Sequence, residues 1–447
     1  MHITSDFDRA APARGGGLMF RAVPSARAGA GTRPRPRSFR RARALLAVLA
    51  ALAIAGALAR PAGALEQLPE IETGIDNATS SHRVGSMSVI GYFGAGLGYD
   101  SNVLLTHANQ LGSAFAIFVP GVRLIHDQDP NHVSMQMDYQ GRAIQYEGQG
   151  NVAAASYMEQ QFSLHTQWAP GPSQSLTFNE KAAYLTDPIE ATTPRLQRFE
   201  NETVAAAIYR GHTTDLRIQA GLGNERFSKA LFRFLDTDSV NFEFQPIYHN
   251  FGPKATVDFD YQVEYFNLRD PDRSDLLVHY FLLGAGTPIG GNNGWVYSGE
   301  VGGCYMQTVS NLAAVNGATS LWSFATLLKA DWTQNDPNTF LHFKLENRVE
   351  PSSFLQVTFA NIYAIQASGS YAVNPQLVFS GAVSDKYYDQ IATPIKLDQF
   401  QVVGSATYNG TFNLTYFARV TYLQVFAHYR DSRYTDLRIM GGATYAF

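Results

Sequence analysis

The chain is predicted to be all-β: a transmembrane antiparallel up-and-down β-barrel of about 18 strands (16–18), with both termini at one end. Three features of the sequence point there. Many segments of ten to fifteen residues alternate apolar and polar side chains, tight turn sequences alternate with longer connections, and the last strand stops on an aromatic residue with no polar tail.

The N-terminal part is compositionally foreign to the rest. Residues 1–64 hold eleven Arg, no Lys, and only Asp6 and Asp8 as acids, so although the whole chain carries −4, residues 65–447 stand near −13. An acidic body of this kind argues against a nucleic-acid partner. Arg40, Arg41 and Arg43 precede an Ala/Leu-rich apolar core at 44–59, followed by Ala62-Gly63-Ala64. That is the layout of a secretory signal peptide cut after Ala64, with Ala59 the other candidate site; the core is too short and too Ala-rich for a comfortable span. Arg40-Arg41 invites a twin-arginine reading, but a barrel crosses the inner membrane unfolded, which favours the general secretory route. Residues 65–86 form a short polar segment, too small for a plug domain, and the barrel is expected over 87–447.

After residue 64 no run of eighteen apolar residues occurs, which excludes helical spans. Residues 255–265 are the clearest strand: Val257, Phe259, Tyr261, Val263 and Tyr265 fall on one face, and Asp258, Asp260, Gln262 and Glu264 on the other. A β-sandwich would alternate too, so the connections decide. Turn sequences such as Ala169-Pro170-Gly171-Pro172, Arg210-Gly211-His212, Phe251-Gly252-Pro253, Asn374-Pro375 and Asn409-Gly410 supply the Pro, Gly and Asn that reversals need. Between them lie longer stretches, among them 104–112, 147–155, 187–197 and 308–318. Eight short turns and nine long loops join eighteen strands, with both termini on the periplasmic side. Tyr, Phe and Trp make up 13% of the chain, and Trp168, Trp295 and Trp332 stand beside short turns, where an interfacial girdle would place them.

A barrel of this size is too wide for side chains to fill, so it holds water unless a segment plugs it. By parity, the expected lumen-lining residues are Arg142, Arg217, Glu243, Asp258, Asp260 and Glu264, with Glu300, Asp331, Lys344 and Arg348. Lys329, Asp385, Lys386, Arg419 and Arg438 join them by the same reasoning. Mixed charges can orient a hydrated solute, and Gln, Ser, Thr and Tyr suit sugar hydroxyls as well as water. Were a loop to fold inward, length singles out 308–318 or 187–197 as the candidate.

No catalytic or cofactor motif stands out. The eleven His are scattered, no HExxH, GxSxG or P-loop occurs, and Cys304 is the single cysteine. Asp127-Gln128-Asp129-Pro130-Asn131 lacks the Gly and distal Glu of a calcium loop. The expectation is a non-enzyme without a metal or cofactor.

In the C-terminal strand, Leu437, Ile439, Gly441, Ala443 and Tyr445 share an apolar or small face, and Arg438 and Thr444 lie opposite. Ending on Phe447, this strand resembles the assembly signal of bacterial outer-membrane barrels, which implies outer-membrane lipids and the barrel-assembly machinery as partners. The first strand reads Gly94-Ala95-Gly96-Leu97-Gly98-Tyr99-Asp100-Ser101-Asn102-Val103. Its Gly96, Gly98, Tyr99, Asp100 and Asn102 resemble the opening strand of the beta-barrel porin family that includes EpsL-type proteins of exopolysaccharide operons. The resemblance implies an outer-membrane channel passing polysaccharide or another hydrophilic solute. Gly94, Gly96 and Gly98 would then thin the wall for a polymer, or relieve curvature, and Asp100 and Asn102 would sit near the outer rim. The other reading is a barrel that serves as a surface enzyme or anchor through its loops.

Overall fold

The computed structural model describes residues 82–84, 86–106, 110–127, 133–186, 197–249, 255–269, 274–287, 295–309, 320–333, 339–352, 359–390, 396–410, 413–427 and 433–447. The leader, most of 65–86, and most or all of 128–131, 187–197, 251–253, 308–318 and 335–338 lie outside them.

A three-residue strand β1 (His82–Val84) folds back on the first barrel strand. The barrel strands are β2 (Met87–Asp100), β3 (Ser113–Asp127), β4 (Val133–Tyr146), β5 (Tyr157–Gly171), β6 (Gln174–Leu185) and β7 (Arg198–Arg210). They continue with β8 (Thr214–Phe227), β9 (Thr237–His249), β10 (Thr256–Leu268), β11 (Leu276–Gly286), β12 (Trp295–Thr308) and β13 (Ser320–Thr333). The last six are β14 (Phe340–Pro351), β15 (Phe359–Ala372), β16 (Leu377–Gln390), β17 (Lys396–Asn409), β18 (Leu414–Ala427) and β19 (Tyr434–Ala446). Each pairs antiparallel with its sequence neighbours, and β19 pairs with β2 from Arg438↔Asp100 to Ala446↔Tyr92, so eighteen strands close a ring. A helical turn α1 (Asn151–Ala154) lies between β4 and β5, and a 3-10 turn (Ala230–Leu235) between β8 and β9. Closure satisfies the backbone within the wall, the condition for spanning lipid with strands.

The expected strand number and up-and-down order match the structure. Strict alternation of connection length does not persist: the gap between β11 and β12 on the short-turn side (287–294) is longer than that between β16 and β17 on the other side (391–395). The two ends are therefore defined here by pairing, as the short-turn end, where both β2 begins and β19 finishes, and the long-connection end.

Side-chain direction follows the two-residue period. Phe93, Leu97 and Tyr99 of β2, Phe281 and Leu283 of β11, and Ile439 and Tyr445 of β19 are exposed on the outer face. Near the short-turn end Trp168, Tyr209, Tyr297 and Tyr408 are exposed, and Trp295 stacks on Tyr297 with ring centroids 5.7 Å apart and lies 6.3 Å from Trp332. Aromatics at that height, below a belt of Leu, Val, Ile and Phe, form the girdle expected of a barrel in a bilayer.

One ladder stops early. β13 and β14 pair only from Thr326↔Asn347 to Thr333↔Phe340, so Ser320–Ala325 of β13 has no β14 partner, while Arg348–Pro351 of β14 stays paired to β15. Above that point β14 and β15 lean over the inner faces of β11–β13: Val349 and Phe359 join Leu276, Val278, Tyr280, Leu282, Cys304 and Met306 in one buried apolar cluster.

Candidate functional site

The inward side chains of β10 build the site. Asp258, Asp260, Gln262 and Glu264 point inward because Phe259, their neighbour on the opposite parity, is exposed outside, and the strand is paired on both sides, with Phe259 and Asp260 skipped in the β9 ladder. Gln262 pairs with Glu243 of β9, and Gly284 of β11, opposite Asp258, carries no side chain to shield it. Gln245 joins the acids of neighbouring strands: its Nε2 donates to Asp258 Oδ2 at 2.9 Å and to Glu300 Oε1 of β12 at 3.5 Å. Gln262 donates to Asp260 Oδ2 at 2.5 Å. Arg217 of β8 lies 3.5 Å from Glu243 and donates to Gln219 at 3.0 Å. Among the described residues, Asp258 Oδ1, Asp260 Oδ1 and Glu264 Oε2 have no hydrogen-bond partner. Carboxylate oxygens in this state seek water or a cation.

The other sequence-expected lumen residues fall on the same inner face but in self-neutralising sets. Arg142 of β4 binds Glu159 of β5 through Nε at 2.6 Å, and Glu159 also accepts the Thr186 amide at 3.0 Å. On β14, Lys344 lies 2.6 Å from Glu346, and Arg348 lies 3.1 Å from Glu346 and also contacts Glu350. Asp331 of β13 contacts His342, and Lys329 faces Lys344 across the ladder. The acids of β9, β10 and β12 thus stand apart as the group with fewest cations.

Asp385 is a correction. It is exposed on the outer face of β16, in register with Phe400 and Ile365, whereas Lys386 points inward. Asp385 shares its face with Leu377, Phe379, Val383 and Tyr387, and Lys386 shares the other with Ser380, Ala382 and Ser384; neighbours in a strand cannot both line the lumen.

Arg438 of β19 stands on the opposite wall, nine strands away around the ring, with Arg419 of β18 eight and Lys386 of β16 six strands away. Arg438 is held by Asp436 at 2.9 Å and Asp100 at 3.2 Å. Asp100, fully buried, also accepts from Tyr146 Oη at 2.7 Å and from the Asn102 amide at 2.9 Å. Asn102, equally buried, donates through Nδ2 to Thr435 O at 2.9 Å and to Thr106 O at 3.0 Å, and its Oδ1 receives the Thr106 amide at 3.1 Å. These two residues lie at the long-connection end and anchor the first connection across the β19–β2 junction.

That connection turns inward. Leu105, at φ 51°, joins an apolar cluster with Ile362, Tyr388, Leu397, Val425 and Tyr434 on β15–β19. Length pointed instead to 187–197 and 308–318, which fall almost wholly outside the described residues.

The glycine row does not open the wall. Opposite Gly98, Gly96 and Gly94 stand Phe115, Ile117 and Val119, all buried; a Cβ at Gly96 would meet Ile117 at 3.2 Å and one at Gly94 would meet Val119 at 3.3 Å. The missing side chains make room for the neighbouring strand, not for a passing polymer.

No sequence profile of a known family matches the chain, and no curated protein matches it. Solved structures with a similar course include a BenF-like porin from Pseudomonas fluorescens Pf-5, at TM-score 0.43 and 10% identity over 81% of this chain and 100% of that one. Pseudomonas aeruginosa OccK2 (OpdF), in complex with glucuronate, aligns at TM-score 0.43 and 10% identity over 81% and 98%. Acinetobacter baumannii OccAB4 aligns at TM-score 0.40 and 11% identity over 80% and 98%. Likeness at this level is too distant to bear on function, and the fold rests on the closed ladder itself.

Proposed function

We propose that this chain is an outer-membrane channel for small hydrophilic solutes, with a preference for cations. The observation that carries the reading is the inward row Asp258, Asp260, Gln262 and Glu264 beside Glu243 and Glu300, acids gathered from three neighbouring strands on one inner wall. A wall of one charge sign raises the local concentration of opposite charge. In this reading the leader is removed after Ala64, both termini are periplasmic, the long connections face outward, and Tyr445 and Phe447 engage the assembly machinery. Polysaccharide passage, implied by the first-strand resemblance, has less support, because the glycines that would have thinned the wall are covered.

The test is swelling of proteoliposomes in sugars of increasing size. Swelling in a pentose that fades for oligosaccharides is the expected result. A barrel whose work lies in its loops, as enzyme or anchor, would give none, and swelling that persists in long oligosaccharides would favour the polymer reading.

A further inference from the structure

The early end of the β13–β14 ladder makes a seam in the wall. Among the described residues, side-chain hydrogen bonds cross it. Tyr280 Oη donates to Val349 O at 3.0 Å, Asn347 Nδ2 to Phe324 O at 3.0 Å, and Ser323 Oγ to Asn361 Oδ1 at 3.2 Å. The first fixes the geometry. β11 and β14 are three strand spacings apart, about 14 Å along a continuous sheet, beyond a tyrosine's reach, so β14 overlaps the inside of β11–β13. Adjacent walls elsewhere are held by backbone ladders over most of their length; here the upper half is held by side chains.

The surfaces that meet inside the seam are apolar, and so is its outer face. Inside lie Leu276, Val278, Leu282 and Met306, under Val349 and Phe359. Outside, Trp322 and Phe324 of the unpaired β13 segment are among the most exposed aromatics, at 65% and 59%, and Trp322 lies 4.9 Å from Tyr305 and 6.5 Å from Phe281 between ring centroids. The polar inner wall of β10, by contrast, would repel an apolar solute.

We infer that the β13–β14 seam is a lateral gate, through which an uncharged aryl or short-acyl solute passes from the lumen into the membrane. Separating the two layers breaks these side-chain bonds and slides one apolar surface over another, with no backbone ladder to unzip. The inference rests on the lumen being open to water, and the experiment separates the two.

The test uses cells of a host lacking its own general porins, the full chain, and N-phenylnaphthylamine, an apolar aryl amine that fluoresces on reaching the membrane interior. In a Cys304→Ala background, Ser323→Cys with Asn361→Cys is oxidised to lock the seam. Locking should lower probe uptake at least fivefold, towards that of cells without the protein, and reduction should restore it, with pentose flux unchanged throughout. Tyr280→Phe, which needs no cross-link, should raise uptake at least twofold. Uptake that ignores a formed lock, or that does not rise in Tyr280→Phe, overturns the gate. Absence of pentose flux in every variant overturns the channel reading instead.

Discussion

Gly91 and Phe447 exchange two backbone hydrogen bonds, Gly91 N–H to Phe447 O at 3.0 Å and Phe447 N–H to Gly91 O at 2.8 Å. The last residue of the chain thereby finishes the ladder that the first barrel strand begins. The Phe447 ring lies over the glycine, where a Cβ would come within 2.6 Å of Cε2, and stacks on Tyr445 at 6.3 Å. Gly91→Val is expected to crowd this junction at a cost of about 1–3 kcal/mol. The fraction of protein keeping the compact, heat-modifiable band on electrophoresis should fall, and an undiminished fraction would refute the role given to this contact.

Asp100 gathers Tyr146, Arg438 and the Asn102 amide at the long-connection end. Asp100→Ala takes an acceptor from the Tyr146 hydroxyl and from the half-buried Arg438 guanidinium, which keeps Asp436, at about 1.5–3 kcal/mol for each bond lost. Asn102→Ala should cost less, about 1–3 kcal/mol, and should expose residues 103–112 to protease. Denaturant unfolding and limited proteolysis check both.

Neighbouring positions on β10 should respond in opposite ways to the same substitution. Tyr261→Arg places a cation on the outer belt near mid-height, where it costs about 2–4 kcal/mol. Gln262→Arg places one among Asp260, Glu243 and Glu300 on the inner face. The first should lower the urea midpoint of the folded barrel and the second should leave it nearly unchanged. Equal effects would contradict the assignment of faces.

The outer face of β6 carries Glu180, in register with Leu164 and Thr203, near the middle of the strand. A lipid-facing carboxylate is unfavourable by less than the roughly 2–4 kcal/mol of a basic residue at that depth. Glu180→Leu is therefore expected to raise the unfolding midpoint in lipid. A fall would mean that the carboxylate has a stabilising partner in the assembled membrane.

Much of the fold is legible in the sequence, for physical reasons that differ by element. β10 reads cleanly because every second residue is large and apolar and the others are charged or amide-bearing, so one register buries neither face wrongly. Asp385 and Lys386 are adjacent, so one of them had to face outward, and the apolar run Leu377, Phe379, Val383 and Tyr387 marks the face that Asp385 shares. β11 is largely apolar on both faces, with Leu276, Val278 and Leu282 on one and Leu277, Phe281 and Leu283 on the other, which marks an inner surface covered by another layer, the leaning β14–β15. The inward connection escaped a length argument because the anchoring of 101–106 depends on two buried side chains, Asp100 and Asn102, and not on how many residues it has. The glycine row was placed on the correct face, but its purpose depends on Phe115, Ile117 and Val119 across the ladder, a pairing that no single strand reveals.

The account stands most directly on the claim that the acids of β9, β10 and β12 border a conducting path. The measurement is the reversal potential of single channels in a planar bilayer under a potassium chloride gradient, for the natural chain and for Asp258→Asn/Asp260→Asn/Glu300→Gln. The predicted result is open channels whose reversal potential has the sign of cation preference, shifted towards zero in the triple variant. No current from folded barrels, or a reversal potential that the three substitutions leave in place, would contradict it.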